Sequence, residues 1–309
     1  MDKVMTVIQV IAPIFLAVLL GVGARKKQTM GSEEIQGIQH FAVQFCLPCV
    51  IFRSCLTADI SAQTVGSMVL VAPLVILATL WSFRARKNQF PYANLPMLFS
   101  CKETGMMGIP LFMVLFGADQ AFRMGIFDIA QAFAVYPVLA ILTAGPNMKT
   151  TPGAVVKQML SSTLIRLSIL GLVLNLTGIW GWVQSIGVGS VVLEAVDFMS
   201  QPVSALMLFC VGYNFSLSGD NRSAVFRLTA AHVGVFMLIG LLVQAGLFLI
   251  PGVDAVSRWA ALLYVMLPAS YLAPGLGRSQ EDATVTSGVC SITTLITLAV
   301  FCLMAVMIA

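Results

Sequence analysis

The chain has 309 residues, of which 59% are hydrophobic and only 10% are charged, with a formal net charge of +4 at pH 7. Ordinary soluble domains contain roughly 45–50% apolar and about 25% charged residues, so the composition argues against a water-soluble fold. It predicts an all-α membrane protein, because apolar helices satisfy their own backbone hydrogen bonds inside a bilayer.

Ten apolar stretches have about the 20 residues that a helix needs to cross a hydrocarbon core. We predict ten transmembrane helices, with few residues left over for a soluble domain. In chain order they are Val4–Ala24, Ile35–Cys55, Val65–Phe83, Leu95–Phe116, Met124–Ala144, Leu160–Gly181, Ile186–Tyr213, Leu228–Ile250, Trp259–Leu276 and Ala283–Ile308.

Basic residues are concentrated on one side of this predicted topology. Loops after predicted helices 1, 3, 5, 7 and 9 carry Arg25, Lys26, Lys27, Arg84, Arg86, Lys87, Lys149, Lys157, Arg222, Arg227 and Arg278, whereas the other side carries Lys3, Arg123 and Arg258. Because basic loops stay in the cytoplasm, we expect both termini on the non-cytoplasmic side of a cell inner membrane. Topology thus accounts for the positive charge, and no nucleic-acid partner is expected.

Prolines fall at corresponding places in the two halves of the sequence. Pro48 and Pro110 are 62 residues apart, and Pro202 and Pro268 are 66 apart. Two copies of an odd number of helices enter the membrane from opposite sides, as in many secondary transporters. We therefore predict two inverted five-helix repeats, residues 1–147 and 148–309.

The stretch LFSCKETGMMGIPLF, residues 98–112, places a lysine and a glutamate beside glycines and a proline in predicted helix 4. Proline and glycine weaken helices, so Gly105, Gly108 and Pro110 are expected to break helix 4, and Pro268 helix 9. Broken backbone at membrane depth requires protein or a water-filled cavity around it. We expect the two breaks to cross there, with freed N–H groups suited to a carboxylate and freed carbonyls to a cation.

Several segments resemble the bacterial branch of the auxin efflux carrier family. They are SCKETGMMGIPLFMVLFG, IFDIAQAF, LPASYLAPGLGRSQEDATVTSGVCSITTLITL, CLPCVIFRSCL and ILGLVLNLTGI. The resemblance implies a ten-helix carrier with crossed broken helices 4 and 9, related in architecture to bile-acid sodium symporters. It also implies organic-anion substrates, a scaffold of helices 1, 2, 6 and 7, a moving part of helices 3, 4, 5, 8, 9 and 10, and a homodimer.

The resemblance carries particular residues into the predicted substrate site. Thr104, Gly105, Gly108 and Pro110 match the first crossover of the family, and Pro268 marks the second. Where the family has asparagine this chain has Glu103, an ionisable group that would repel an anion. Glu103 is therefore interpreted as a proton or sodium site, as a contact for a substrate amine, or as one half of a structural ion pair.

Other polar residues are weaker candidates for the site. Lys102 either snorkels to the interface, which we favour, or serves as the counter-charge of the anion. Asp128 and Gln131 share a helix face and form either a coupling-ion site or a buried hydrogen-bonded pair. Ser270 and Tyr271 are expected to offer hydroxyls to the substrate. Glu194 and Asp197 are expected to cap the positive start of predicted helix 7. Packing or interfacial roles are expected for Arg53, His40, Thr284, Ser287, Ser291, Thr294 and the seven cysteines.

The sequence thus predicts a secondary transporter of small organic anions, such as mono- or dicarboxylates, that works by alternating access. No catalytic or nucleotide-binding motif is present, so we expect no enzyme activity, no metal site and no cofactor beyond a coupling sodium ion or proton. Two alternatives stay open, an exporter of amino acids or other amine-bearing substrates and a membrane sensor that binds a ligand without moving it.

Overall fold

The computed structural model describes residues 2–58, 62–143, 152–215 and 221–308. The described elements are helices, together with one isolated β-bridge. The α-helices are α1 (Asp2–Lys27), α2 (Ser32–Phe41), α3 (Leu47–Leu56), α4 (Ala62–Asn88), α5 (Leu95–Ser100), α6 (Ile109–Phe116), α7 (Ala121–Thr143), α8 (Pro152–Ser161), α9 (Thr163–Leu176), α10 (Ile179–Ser185), α11 (Val188–Ser200), α12 (Val203–Asn214), α13 (Arg222–Leu249), α14 (Ala255–Met266) and α15 (Gln280–Ile308).

Six helical segments among the described residues are long and apolar enough to cross a membrane. They are Val7–Lys27, Ser32–Leu56, Val69–Asn88, Val188–Asn214, Arg222–Leu249 and Gln280–Ile308. A seventh is counted if α9 and α10, which meet at 77°, form one bent span. The all-helical membrane architecture agrees with the sequence, whereas the predicted boundary between the repeats, at residues 147 and 148, lies outside the described residues.

Two of the predicted spans are long helices interrupted near a proline. A π-helical turn, Ala42–Cys46, joins α2 to α3, and Pro48 lies in the first turn of α3. Gln201 and Pro202 separate α11 from α12. Because Ser32–Leu56 is one continuous helix, Pro48 lies inside it, and the π-helical turn just before it accommodates the missing N–H group. Pro202 lies in the turn between α11 and α12, where no helical N–H group is needed.

The break in predicted helix 4 lies a few residues before the expected position. Helix α5 ends at Ser100, residues 101–103 are non-helical, and a π-helical turn, Thr104–Gly108, leads into α6. Gly105 and Gly108 therefore belong to the turn that restarts the helix, and Pro110 lies in the first turn of α6. The prediction that these three residues form the break was wrong, because the chain is helical without interruption over Thr104–Phe116. Pro110 lies inside this helix, and the π-helical turn before it accommodates the missing N–H group.

The break in predicted helix 9 lies where Pro268 indicates. Helix α14 ends at Met266, and Leu267 is extended with φ −60° and ψ 151°. The residue before a proline is disfavoured in the α-helical conformation, which explains why the helix ends there. The chain then continues through a turn and a short 3₁₀ helix, Pro274–Leu276, before α15 begins.

Glycines allow two helix pairs to approach closely. A Cβ atom on Gly21 of α1 would lie 2.1 Å from the Phe209 carbonyl oxygen of α12, and one on Gly212 would lie 2.0 Å from the Val18 carbonyl oxygen. A Cβ on Gly171 of α9 would lie 2.9 Å from the Phe52 carbonyl oxygen of α3. Small residues at such contacts are a common way to pack membrane helices, and they hold α1 on α12 and α9 on α3.

Candidate functional site

The non-helical segments of the two broken helices pair with each other, and we term this paired region the crossover. Lys102 and Ala269 form an antiparallel β-bridge. The Glu103 amide donates to the Pro268 carbonyl at 3.0 Å, and the Ser270 amide donates to the Cys101 carbonyl at 3.1 Å. Backbone groups that each break frees are thus satisfied by the other break, as a buried polar backbone requires.

Lys102 and Glu103 together replace one hydrogen bond of the broken second helix. In an unbroken helix the Tyr271 N–H would donate to the carbonyl of Leu267, four residues earlier. Here the Lys102 ammonium or amine Nζ donates to the Leu267 carbonyl at 2.8 Å, and the Tyr271 N–H donates to Glu103 Oε2 at 2.8 Å. The adjacent lysine and glutamate therefore supply one donor and one acceptor to the two helix ends.

Gln131 of α7 fixes the first break. Its Oε1 accepts from the Lys102 amide at 2.9 Å, and its Nε2 donates to the Lys102 carbonyl at 3.1 Å. The same side chain accepts from the Tyr264 hydroxyl at 3.1 Å and donates to Thr104 Oγ1 at 2.6 Å. Because both ends of its amide are occupied, Gln131 acts as a partner for freed backbone, a role beyond the ion ligand or simple pair expected from the sequence.

A cavity of about 330 Å³ lies against this crossover and is lined by both predicted acids. Glu103 comes from the first break and Asp128 from α7, where Gln131 Nε2 donates to Asp128 Oδ1 at 2.9 Å. The described lining contains no lysine, arginine or histidine; it comprises Gln39, Val43, Leu47, Cys101, Glu103, Gly105, Met106, Asp128, Gln131, Ala132, Val135, Ser162, Leu164, Ile165, Tyr271 and Leu272. The cavity is therefore apolar with two acidic groups.

A second cavity of about 530 Å³ adjoins the first. The two share Gln39, Val43, Tyr271 and Leu272 in their linings. The second cavity continues past His40, near the end of α2, toward Asn214 at the end of α12 and Pro274. The second cavity therefore lies between the first cavity and the end of α12.

Ion pairs join the helices at the opposite end of the assembly. Arg53 of α3 pairs with Asp119, which lies between α6 and α7, at 2.5 Å, and also with Asp197 of α11. Arg123 of α7 pairs with Asp254, just before α14, at 2.7 Å. Asp197 lies well inside α11, which begins at Val188, so the expectation that it caps the start of that helix was wrong.

The structure brings some of the predicted substrate residues to the cavity and buries others. Glu103, Gly105 and Tyr271 line it, as do the predicted coupling residues Asp128 and Gln131. Away from the described lining are Lys102, Thr104, Gly108, Pro110, Pro268 and Ser270. Gly108 instead makes room for its neighbour, since a Cβ there would lie 2.6 Å from Leu267 Cδ1.

Lys102 does not reach an interface. Its side chain is only 2% exposed and its Nζ lies 3.0 Å from His232 Nε2. The expectation that it snorkels was therefore wrong, because the amine is held inside the protein by a carbonyl and an imidazole. Glu103, in turn, forms no ion pair among the described residues, so the interpretation as half of a structural ion pair has no support in this arrangement.

Three residues that form hydrogen bonds at or beside the two helix breaks were not identified from the sequence. His232 of α13 contacts Lys102 in the first break, and Tyr264 of α14 donates to Gln131, which holds that break. Asn94 donates to the Ala273 carbonyl at 2.9 Å and to Thr286 Oγ1 at 3.0 Å. His232 and Tyr264 are polar side chains in apolar predicted helices, a signal that often marks intramembrane function, whereas Asn94 precedes predicted helix 4. Their partners lie 130 to 192 residues away, and spacing alone gives no such pairing.

Hydroxyls of α15 behave as predicted where the structure describes their bonds. Thr284 donates to the Gln280 carbonyl and Thr294 to the Cys290 carbonyl within the same helix. Thr294 also contacts the Tyr271 hydroxyl, which directs Tyr271 toward α15. Within the described residues, no group of three or more histidine, cysteine, aspartate or glutamate side chains is arranged to hold a metal ion.

Comparison with known families decides the broader identity. The model of the family described as membrane transport protein matches residues 6–308. The chain belongs to the auxin efflux carrier family of membrane transport proteins. No curated protein matches the chain. Family membership makes it a multi-pass membrane transporter.

Proposed function

We propose that this membrane transporter is a secondary carrier of small organic anions and that the solute binds in the cavity beside the crossover. The observation that carries the proposal is the position of Glu103 and Asp128 in one cavity at the meeting point of two broken helices. Discontinuous helices of this kind form the substrate and ion sites of many secondary transporters. The cavity volume of about 330 Å³ suits a small carboxylate.

Two carboxylates without a basic neighbour set a condition on anion transport. An anionic solute would be repelled unless Glu103 and Asp128 bind protons or a cation such as sodium. We therefore assign the coupling role to these two acids, with the anion following once they are neutralised. Gln131 hydrogen-bonds both Asp128 and the backbone of the first break. A change in the charge of Asp128 would therefore reach the first break through Gln131.

The same lining favours a second candidate substrate class. An amine would be attracted by the two carboxylates directly, and the Tyr271 ring would offer it an aromatic face. The Tyr271 N–H, which could otherwise donate a hydrogen bond to a substrate carboxylate, already donates to Glu103. An amino acid or other amine-bearing solute is therefore the alternative cargo. A sensor that binds a ligand without moving it would show binding without flux.

Alternating access would follow from the arrangement of close helix contacts. The scaffold is α1, α2–α3, α9 and α11–α12, the helices joined through Gly21, Gly171 and Gly212. The remaining helices form the moving part of a ten-helix, inverted-repeat carrier. If basic loops lie in the cytoplasm, the two cavities open to the cytoplasm and the Arg53 ion pairs close the outer side.

A ligand screen by thermal stability tests the proposal. A ligand that binds the folded state raises the melting temperature by mass action. The purified transporter is screened against dicarboxylates, monocarboxylates and amino acids, with and without sodium, at two pH values, alongside Glu103→Gln. Stabilisation of the wild type by carboxylates, with its sodium or pH dependence lost in Glu103→Gln, supports the proposal. Stabilisation by amines alone, abolished in the variant, transfers the assignment to the alternative cargo.

A further inference from the structure

A second cluster of titratable side chains lies behind the crossover, outside the substrate cavity. Lys102 Nζ lies 2.8 Å from the Leu267 carbonyl oxygen, 3.0 Å from His232 Nε2 and 3.4 Å from the centroid of the Phe236 ring. The adjoining pocket measures about 10 Å³, at the lower limit of the roughly 10–15 Å³ that one water molecule needs. The amine is thus enclosed by protein.

Protein groups around Lys102 suit either charge state of its amine. A charged ammonium would be stabilised by the Leu267 carbonyl and by the face of Phe236. It would lack a carboxylate, because the described residues contain no ion pair to Lys102. A neutral amine would still donate to Leu267 and would accept the hydrogen of His232 Nε2. A buried charge without an opposite charge beside it is costly. The neutral amine avoids this cost and keeps both Leu267 and His232 as hydrogen-bond partners.

The other ring nitrogen of His232 distinguishes the two states. His232 is 1% exposed, and its Nδ1 has no hydrogen-bond partner among the described residues. If Lys102 were charged, Nε2 would accept its hydrogen and Nδ1 would carry an N–H with nothing to receive it. Buried N–H groups without partners are rarer than buried acceptors without partners. The geometry therefore favours a hydrogen on Nε2 and a bare Nδ1.

We propose that Lys102 and His232 form a one-proton binding site that is empty of its proton in this conformation. A proton arriving at the site bonds to Nδ1 of His232, the Nε2–H bond breaks, and that hydrogen bonds to Lys102 Nζ. The products are a lysine ammonium and a neutral histidine protonated on Nδ1. The site gains one positive charge, and the two nitrogens exchange the roles of donor and acceptor.

The titratable groups around Lys102 and His232 take no part in this proton exchange. The Lys102 amine interacts electrostatically with the thiols of Cys101 and Cys290, and His232 interacts electrostatically with Lys102. Glu103 and Asp128 line the cavity in front of the crossover. Tyr264 donates its hydroxyl to Gln131. The packed faces of Phe99 and Phe236, with ring centroids 5.2 and 4.7 Å from that of His232, carry no charge.

Proton binding at this pair would change the bond that joins the two breaks. A neutral amine makes an ordinary hydrogen bond to the Leu267 carbonyl, whereas an ammonium makes a charge-assisted one that is roughly twice as strong. The proton would therefore tighten the crossover that shapes the cavity. This consequence for coupling rests on the proposed transport function, but the existence of the proton site does not.

Nitrogen NMR of histidine tests the site without any substrate. The chain has 2 histidines, so a His40→Gln protein labelled with ¹⁵N-histidine gives signals from His232 alone. The two ring-nitrogen shifts report which nitrogen carries the hydrogen, and they are followed from about pH 5 to about pH 9, a range that spans histidine titration. Lys102→Met, which keeps the side-chain volume but removes the amine, is the matched control.

The inference expects Nε2–H at the alkaline end and Nδ1–H at the acidic end, with this exchange absent in Lys102→Met. A single Nδ1–H form at every pH would show that Lys102 is a permanent cation and would overturn the proposal. A doubly protonated ring at the acidic end in both proteins would overturn it too, because the proton would then stay on histidine. If Lys102→Met fails to fold, the histidine spectrum of the His40→Gln protein with Lys102 intact decides the question alone. A failed ligand screen leaves this result unchanged.

Discussion

Replacement of Gln131 by methionine is expected to destabilise the crossover. Gln131 is 4% exposed, and its amide is the described acceptor for the Lys102 N–H and the Tyr264 hydroxyl. Methionine has a similar shape but a sulfur that accepts hydrogen bonds only weakly. Two buried donors would lose their partner, at about 1–3 kcal/mol each, so the expected loss of stability is about 2–6 kcal/mol.

The loss of the hydrogen bond from Gln131 Nε2 to the Lys102 carbonyl adds little to this cost. The Lys102 carbonyl also accepts from the Thr104 amide at 2.9 Å and from the Thr104 hydroxyl at 3.2 Å, so it stays paired in the variant. The unfolding entropy is about 2.1 cal/mol/K per residue, so in this chain of 309 residues 1 kcal/mol corresponds to a change in Tm of about 1.5 °C. The expected decrease in Tm is therefore at least about 3 °C, measured by thermal unfolding in one detergent at one pH.

Gln44→Met is the matched control. Gln44 is half-buried and donates one hydrogen bond, to Thr163 Oγ1 at 2.7 Å, so its loss is expected to cost about 1 kcal/mol or less. Equal melting temperatures for Gln131→Met and Gln44→Met would refute the reasoning, because the freed backbone at the first break would then not depend on the Gln131 amide.

Three further outcomes are expected. Gly21→Ala should lower Tm, because its Cβ would lie 2.1 Å from the Phe209 carbonyl oxygen, whereas Gly23→Ala, with no atom within 4 Å, should leave Tm unchanged or slightly higher; equal effects would contradict the close α1–α12 contact. Arg53→Gln should shift the ratio of the two access states by about 1.4- to 5-fold, as expected for an exposed ion pair of about 0.2–1 kcal/mol, and should slow the alkylation of Cys101, which lines the cavity. Arg123→Gln, whose ion pair joins α7 to the loop before α14, should change neither quantity. Equal alkylation rates in the two variants would argue against Arg53 as an outer closure. Burial raises the pKa of the Asp254 carboxyl, but hydrogen bonds from Ser257 and the charge of Arg123 outweigh burial and hold that pKa below its ordinary value of 3.8. The ionised carboxyl therefore stabilises the fold above pH 3.8, and this stabilisation is lost as the pH falls through the lower pKa of the folded state. Asp254→Asn should weaken the acid-induced decrease in Tm, and an unchanged acid profile would show that the interaction is not stabilising.

Much of the fold can be predicted from the sequence, because apolar length and proline positions are local signals. Pro268 marks the second break correctly, since a proline restricts the residue immediately before it. The first break was misplaced, because a proline that ends a helix and a proline that a π-helical turn accommodates look alike in the sequence. Pro110 proved to be of the second kind.

The site could be predicted only in part. Glu103, Asp128 and Gln131 stand out as polar residues in apolar segments, and the structure places all three at the cavity. The side on which a residue next to a break points depends on the non-helical backbone itself, so the sequence did not place Lys102 behind the crossover. Nor could spacing reveal that His232, which is 130 residues further along the chain, contacts it.

Flux into liposomes tests the central claim most directly. Uptake of a labelled dicarboxylate is measured in vesicles that contain the wild type or Glu103→Gln, with imposed proton or sodium gradients. The account predicts that one gradient drives accumulation by the wild type and that Glu103→Gln exchanges the solute without responding to the gradient. Saturable binding without accumulation under either gradient, or accumulation of amines in place of carboxylates, would contradict the claim that this cavity carries organic anions coupled to its two acids.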